Sequence, residues 1–353
     1  MFTTHRVAEA ALASNARITT IDVGANNTRD SLFQGGRLVD NINRVLTAPP
    51  GQGGPRELFT YRVQTRVAGD LPDAVVIGAA GPVNESGVIF TNNGLVIDID
   101  EITKVVHSAA GNIPVLLVND ALCGAAGLLA LPKDMLFQFN GESVDVLDAD
   151  EITVAILGTG LGVARLVRMG NFWVVRPTEL GHLWARSTSS QLVNEWLRKQ
   201  YGSSLELEDV ASGLGIVNIT RALIAATPRG VQVAASFEAV PDPQKARYVA
   251  ESARSGVHSL YVEAMRLFRE QVGYVVSAYG MNFSTVVLAG RPVTGNIDFL
   301  LEGEALANAI CDRHKLGSVA EGIPGFVVQE APDPLLGELN LLGADLIGAS
   351  ALL

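Results

Sequence analysis

Five short apolar runs in this chain stop abruptly at a glycine, an amide or an acid, and that repeated edge constrains the fold more than any other feature. ITTIDV (18–23) runs into Gly24, AVVIGAA (74–80) into Gly81-Pro82, and IPVLLV (113–118) into Asn119-Asp120. ITVAIL (152–157) runs into Gly158-Thr159-Gly160-Leu161-Gly162, and STVVLA (284–289) into Gly290. The first run pairs with 31–33 as a hairpin, with a second turn at Gln34-Gly35-Gly36. The other four read as strands buried on both faces. Helical patterns lie between them, at 58–68, 98–110, 121–131, 188–201, 205–226 and most of 244–281, and again in the C-terminal GELNLLGADLIGASALL. VARLVRMGNFWVVRP reads as a hairpin turning at Gly170-Asn171, and TAPPGQGGPRE (47–57) as a loop. Strands alternating with helices predict the α/β class. Ligands of such sheets bind outside the strand ends where these glycines and acids sit.

Length and charge narrow the function. A chain of 353 residues exceeds what one hydrophobic core usually serves, so two domains are expected. The pattern restarts near residue 135. We place a small domain at 1–118, completed by the C-terminal helix 337–353, and a large one at 119–336. The net charge of −11 argues against non-specific binding to nucleic acid or to an anionic membrane surface. No run of ~20 apolar residues is long enough to span a bilayer. Residues 1–17 carry charges and no long apolar stretch, unlike a signal peptide. A cytoplasmic protein is expected. The two cysteines, Cys123 and Cys311, are far apart and make neither a disulfide framework nor a zinc cluster, so they read as small buried hydrophobes.

Each polar edge has two readings when taken alone. Asp120 at a strand end accepts a proton from a substrate hydroxyl, or caps the following helix. Glu179 and His182, three apart with Gly181 between, converge on a polyol or are a solvated acid and a structural histidine. Glu208, with Glu206 and Asp209 beside it, holds a ligand or belongs to a solvated acidic patch at a helix start. Gly158-Thr159-Gly160 cradles phosphate oxygens with backbone N–H groups and the Thr159 hydroxyl, or is a tight turn. It is not a Walker A loop, because no Gly-Lys-Ser/Thr follows.

In order along the chain, Ala80-Gly81-Pro82-Val83, Thr91-Asn92, Asn119-Asp120, Gly158-Thr159-Gly160-Leu161-Gly162, Glu179-x-Gly181-His182, Ser212-Gly213-x-Gly215 and Ala289-Gly290 resemble the bacterial glucokinases of the hexokinase and actin-like ATPase superfamily. The resemblance covers roughly residues 18–345. It implies two ribonuclease H-like domains with sugar in the cleft between them. It implies ATP-dependent phosphorylation of the 6-hydroxyl of glucose or a related hexose, the first step of glycolysis. Asp120 matches the catalytic base. Asn92, Asn119, Asp120, Glu179, His182 and Glu208 match the sugar-holding residues. Asp22, Gly24, Asn26, Gly158, Thr159, Gly160 and Gly290 fall on the nucleotide side. Mg²⁺ would come with the ATP, with Asp22 near it mostly through water. A homodimer is implied by the same resemblance.

Two places depart from the family pattern. Asp-x-Gly-Gly-Thr-x-x-Arg is here Asp22-Val23-Gly24-Ala25-Asn26-Asn27-Thr28-Arg29, and Ala-Gly-Gly is here Ala289-Gly290-Arg291-Pro292. Alanine resists positive φ, whereas asparagine tolerates it and donates from its amide. Both departures lie on the nucleotide side. A second functional class therefore stays open: a sugar-binding sensor or regulator of glucokinase ancestry, or a kinase for another hexose or phosphoryl donor.

Overall fold

The structure is a computed structural model, and it describes residues 2–3, 15–24, 27–47, 54–90, 95–228, 230–281, 284–312, 316–329 and 338–352. The chain forms two compact units. The first comprises Met1–Lys133, Ala164–Pro177 and Ala331–Leu353, and the second Asp134–Val163 and Thr178–Glu330.

Unit 1 begins with the short strand β1 (Phe2–Thr3), which pairs antiparallel with β13, given below. Its main sheet is built from β2 (Arg17–Val23), β3 (Asn27–Gln34), β4 (Arg37–Leu38) and β5 (Asn43–Leu46), then β6 (Ala74–Ala79) and β9 (Val115–Asn119). The strand order is β4-β3-β2-β6-β9, with β5 also paired to β3. Helix α1 (Pro55–Asp70) precedes β6. The small hairpin of β7 (Gly87–Ile89) and β8 (Val96–Asp98) leads into α2 (Ile99–Ala110). Asp98 caps α2 by accepting from Glu101 N at 3.0 Å. Helix α3 (Asp120–Leu128) follows β9 directly. Strands β2, β6 and β9 are parallel, with Val23 opposite Ala79 and Ala79 opposite Asn119. Gly24, Gly81 and Asp120 therefore leave the sheet at one edge. Phe59, Val63 and Val67 of α1 pack on Ile21, Val75 and Ile77 to form the core of that face.

Three local expectations shift. Strand β3 starts at Asn27 rather than 31, and pairs with β2 along its length, Asp22 opposite Arg29. Helix α1 starts at Pro55 rather than 58, because proline is suited to the first helical turn, where its missing N–H costs nothing. The first residues of 205–226 are not helical. Ala185 N donates to Leu205 O at 2.9 Å and Leu207 N to Leu183 O at 2.8 Å, so 183–185 and 205–207 pair as a short ribbon.

Unit 2 carries β10 (Leu136–Asn140), β11 (Glu151–Leu157), β14 (Thr285–Ala289) and β15 (Gly325–Val328). Strands β11, β14 and β15 run parallel, and β10 is antiparallel to β15. Strand β12 (Leu161–Met169) starts in unit 2. Its remainder and most of β13 (Phe172–Thr178) belong to unit 1, and Gly170 at φ 64 makes the turn between them. Helices α4 (Gln191–Tyr201), α5 (Gly213–Ala226), α6 (Gly230–Glu238), α7 (Asp242–Arg254) and α8 (Ser259–Gly280) come next. They bury Leu197, Ile216, Phe237, Val249, Tyr261 and Phe268 in one cluster with Val286 and Leu288 of the sheet. After β14 come α9 (Arg291–Thr294), α10 (Ile297–Leu300), α11 (Ala305–Cys311) and α12 (Gly317–Glu321). The register sets Ile156 opposite Ala289 and Leu288 opposite Val327, so Gly158, Gly290 and Gln329 also share one edge.

The C-terminal helix α13 (Leu339–Ala351) packs in unit 1, against α3, β2 and β6. Unit 1 runs on through α3 to Lys133 because α3 lies against both β6 and α13. A Cβ on Gly78 of β6 would sit 3.0 Å from Cys123 Sγ of α3. Cys123 is buried as expected, Cys311 only partly, and both are free thiols. Among the described residues no helix is long and apolar enough to cross a membrane.

Candidate functional site

Asn119 and Asp120 divide two tasks that either residue could perform. Asn119 is the cap: its Oδ1 accepts from Ala121 N at 2.9 Å and Leu122 N at 3.3 Å, while Nδ2 donates to Gly81 O at 3.0 Å. That last bond ties the end of β9 to the turn after β6. Asp120 is thus released from sole capping duty. Its Oδ1 accepts from Ala121 N at 2.8 Å, which leaves Oδ2 for another donor. Burial, and then the charge of Asp22, push the Asp120 carboxyl up to about 7, against the pull of backbone hydrogen bonds and Arg29.

Asp22 sits at the carboxyl end of β2, 3 % exposed. Asn340 donates to its Oδ1 at 2.8 Å, and Arg29 Nη1 lies 3.4 Å from Oδ2. Arg29 and Arg44 both pair with Glu338. Burial raises the Asp22 carboxyl, and Arg29 and Asn340 oppose it. The Asn340 amide and the Glu338 carboxylate come from the start of α13, some three hundred residues away in sequence. No local pattern marks them, so reading the sequence passed over both. Gly24 closes the loop: its N–H donates to Asn27 O at 2.9 Å, and its carbonyl accepts from Thr47 Oγ1 at 2.8 Å. Ala25, Asn26 and Asn92 lie outside the described residues.

In unit 2 the remaining candidates are woven together. Glu208 Oε2 accepts from Leu161 N at 2.9 Å, and Glu208 N donates to Gly181 O at 3.0 Å. Gly213 N donates to Gly158 O at 2.8 Å and Leu214 N to Thr159 O at 3.0 Å. A Cβ on Gly160 would run into the Glu208 carboxylate, and one on Gly181 into the Leu161 carbonyl. The glycine loop is therefore closely packed against Glu208 and against the Glu179–His182 turn. Ser212 caps α5 through Gly215 N at 3.1 Å. Gly290 has φ 93 and packs on the backbone of Leu157, a place closed to any side chain. Arg291 is exposed in the turn that follows.

His182 has a partner that the sequence placed nearby without a role. Its Nδ1 lies 2.6 Å from Glu206 Oε2, and its Nε2 3.7 Å from Glu179 Oε2. Glu206 binds the Nδ1 proton, so Nε2 is the face offered to a ligand. The Glu206 hydrogen bond raises the His182 pKa, ahead of the opposing effect of burial. Glu206→Gln removes the charge that favours the imidazolium. The His182 titration, followed by NMR, is expected to move to lower pH in that variant; an unmoved titration would refute Glu206 as its partner.

Among the described residues no group of three or more His, Cys, Asp or Glu side chains is arranged to hold a metal. Asp22 is a single buried carboxylate with both oxygens engaged. Such a donor fits a cation carried in by phosphates and water rather than an all-protein cage.

Comparison with known proteins bears on the family and the fold. The glucokinase family model matches residues 20–344. A glucokinase of Tolumonas auensis is 27% identical over 321 residues, covering 90% of this chain and 94% of the relative. Among solved structures, the glucokinase from Balamuthia mandrillaris in complex with glucose superposes with a TM-score of 0.73 at 18% identity, over 98% of this chain and 99% of that one. A ROK family glucokinase from Streptomyces griseus, in complex with glucose and AMPPNP, gives 0.62 at 21%, over 93% and 97%. At these identities the two structures establish the shared fold.

Proposed function

The chain belongs to the glucokinase family, and from that premise we propose that it transfers the terminal phosphoryl group of ATP to the 6-hydroxyl of glucose. The observation that carries the reading is Asp120. It has an oxygen left for a donor and a carboxyl poised near 7, close to the pH at which a general base is most useful. A protein that only bound sugar would have no use for such a group.

Asp120 takes the proton of the 6-hydroxyl as that oxygen attacks the γ-phosphorus. The bond from phosphorus to the ADP oxygen breaks, and ADP leaves with the electron pair. Asn119, Glu179, His182 and Glu208, with Asn92, hold the other sugar hydroxyls. A neutral polyol needs many directional partners and no countercharge, and amide, imidazole and carboxylates supply them. Thr159 and Gly160 present N–H and hydroxyl donors to the phosphates in the turn that Gly158 closes through its own N–H to Gly160 O, Gly24 and Asn26 belong to the second phosphate loop, and Gly290 lies toward the adenosine. Mg²⁺, when bound with ATP, neutralises phosphate charge, and Asp22 is the acid placed to meet its water shell. A cytoplasmic location and a place at the first step of glycolysis suit this substrate pair, and a homodimer is the assembly the family suggests.

The test is a coupled assay for ADP formation with Mg-ATP and glucose, mannose or glucosamine. Glucose-dependent ADP release is expected. If no hexose releases ADP while glucose still raises the melting temperature, the protein is a sugar sensor.

A further inference from the structure

The pairing of β3 with β5 sets Arg29 directly opposite Arg44, and the pairing of β2 with β3 sets Asp22 opposite Arg29. Directly opposed side chains of antiparallel strands share a face and lie close together. Two arginines therefore stand side by side, and like charges in that position weaken strand pairing. A carboxylate from far along the chain offsets the repulsion. Glu338, only 9 % exposed, pairs with Arg29 through Oε2 and with Arg44 through Oε1. Charge-assisted bonds to so buried a carboxylate are screened by water less than a surface pair.

The tie reaches the nucleotide side through β5. Thr47 directly follows that strand and is 3 % exposed. Its Oγ1 donates to Gly24 O at 2.8 Å and lies 3.1 Å from Thr28 Oγ1. The Thr47 hydroxyl has one proton, which goes to Gly24, so Thr28 donates to Thr47. Strand β5 is paired with β3 alone among the strands, and Arg62 of α1 adds a solvent-exposed bond to Leu46 O at 3.1 Å. At its other end the tie is firmly seated. Leu339 stands between Glu338 and Asn340, and a Cβ on Gly127 of α3 would lie 2.1 Å from its carbonyl oxygen. Helix α3 begins at Asp120. One path of contacts within unit 1 thus runs from the helix that presents Asp120 to the loop that carries Gly24.

We propose that Glu338, Arg44 and Thr47 are positioning residues for the nucleotide phosphates: Glu338 draws β5 against β3 through the two arginines, and Thr47 at the end of β5 holds the Gly24 loop in its binding shape. The proposal rests on the kinase reading for its ligand. The three residues act on the nucleotide through the loop, and they leave the sugar alone.

Steady-state kinetics with Mg-ATP and glucose, and calorimetric binding of Mg-ADP, test it on the whole protein. Glu338→Gln leaves the two arginines facing each other without their counter-charge. It is expected to raise the KM for ATP ~10-fold and to weaken Mg-ADP by a similar factor, with the KM for glucose within ~2-fold and kcat within ~3-fold. Arg44→Ala removes an exposed side chain, and with it both the tie and the repulsion. It should raise the KM for ATP ~3-fold, and the double variant should be no worse than Glu338→Gln alone. Thr47→Val keeps the volume, loses the hydroxyl and should show the same split between ATP and glucose. If Glu338→Gln does not fold, Arg44→Ala and Thr47→Val carry the test. A general loosening of unit 1 would raise the KM for glucose and lower kcat as well, and that result overturns the proposal. An arginine that itself gripped phosphate would be freed by Glu338→Gln, so tighter Mg-ADP binding in that variant also overturns it. Effects of Arg44→Ala and Glu338→Gln that multiply in the double variant overturn it too, as does a Thr47→Val protein that handles ATP normally. A protein that binds Mg-ADP, binds it less well in these variants and phosphorylates no hexose overturns the kinase reading alone. One that phosphorylates glucose while every variant keeps its KM for ATP overturns this proposal alone. No Mg-ADP binding by the unaltered protein overturns both.

Discussion

Asp120→Asn is expected to lower kcat by ~10²–10⁴-fold while changing the KM for glucose little. Asparagine keeps the size of the side chain and can still accept from Ala121 N, so α3 and the Asn119 cap should survive. What it removes is the carboxylate proposed to take the proton. The pH profile adds a second readout. The Asp120 carboxyl is raised to about 7, chiefly by burial and then by Asp22, so the base is lost as pH falls through that value. The rate of the unaltered enzyme should rise with pH to a plateau above about 7, with a slope near one on the acid side. In Asp120→Asn that limb should vanish. A variant that keeps wild-type turnover, or the same acid limb, would remove Asp120 from the mechanism.

The second large effect is structural. Gly343→Leu is expected to destabilise unit 1 by about 3 kcal/mol or more, seen as a fall in melting temperature of ~6–12 °C. Gly343 lies where α13 crosses α3. A Cβ there would overlap the Cys123 carbonyl oxygen, and a Cβ on Gly127 of α3 would overlap that of Leu339. The two helices meet backbone to backbone, so no rotamer of leucine is free of a clash and the helices must separate. Because Glu338 and Asn340 begin α13 and hold Arg29 and Asp22, activity should fall even below the melting transition. Differential scanning calorimetry with a parallel assay checks both. An unchanged melting temperature would show that the close crossing is not needed.

The five strand ends were legible because strand and turn signals are local. An apolar run and the glycine or acid that stops it are adjacent in the chain, and each marks a strand terminus here. The ordered set of polar edges carried the glucokinase resemblance, which the family model bears out over 20–344. The same locality explains the misreading of 205–212. Leu205 and Leu207 suit a helix by pattern, but their backbone groups are taken by 183–185, and that competition is invisible from either segment alone. Glu206 was read as one member of an acidic patch. Only its 2.6 Å contact with His182 gives it a role.

The sequence by itself determined that this is an α/β chain with polar and glycine-rich strand ends, and which family it belongs to. Periodicity and strand-stop chemistry survive in any context, so they can be read without coordinates. Tertiary structure decided the rest. It chose Asn119 over Asp120 as the cap, joined Asp22 and Arg29 to Glu338 and Asn340, and locked Glu208 to Leu161. Each of these is a question of which buried polar group finds a partner. The partner is set by how the elements pack, and that packing brings together residues that are hundreds of positions apart.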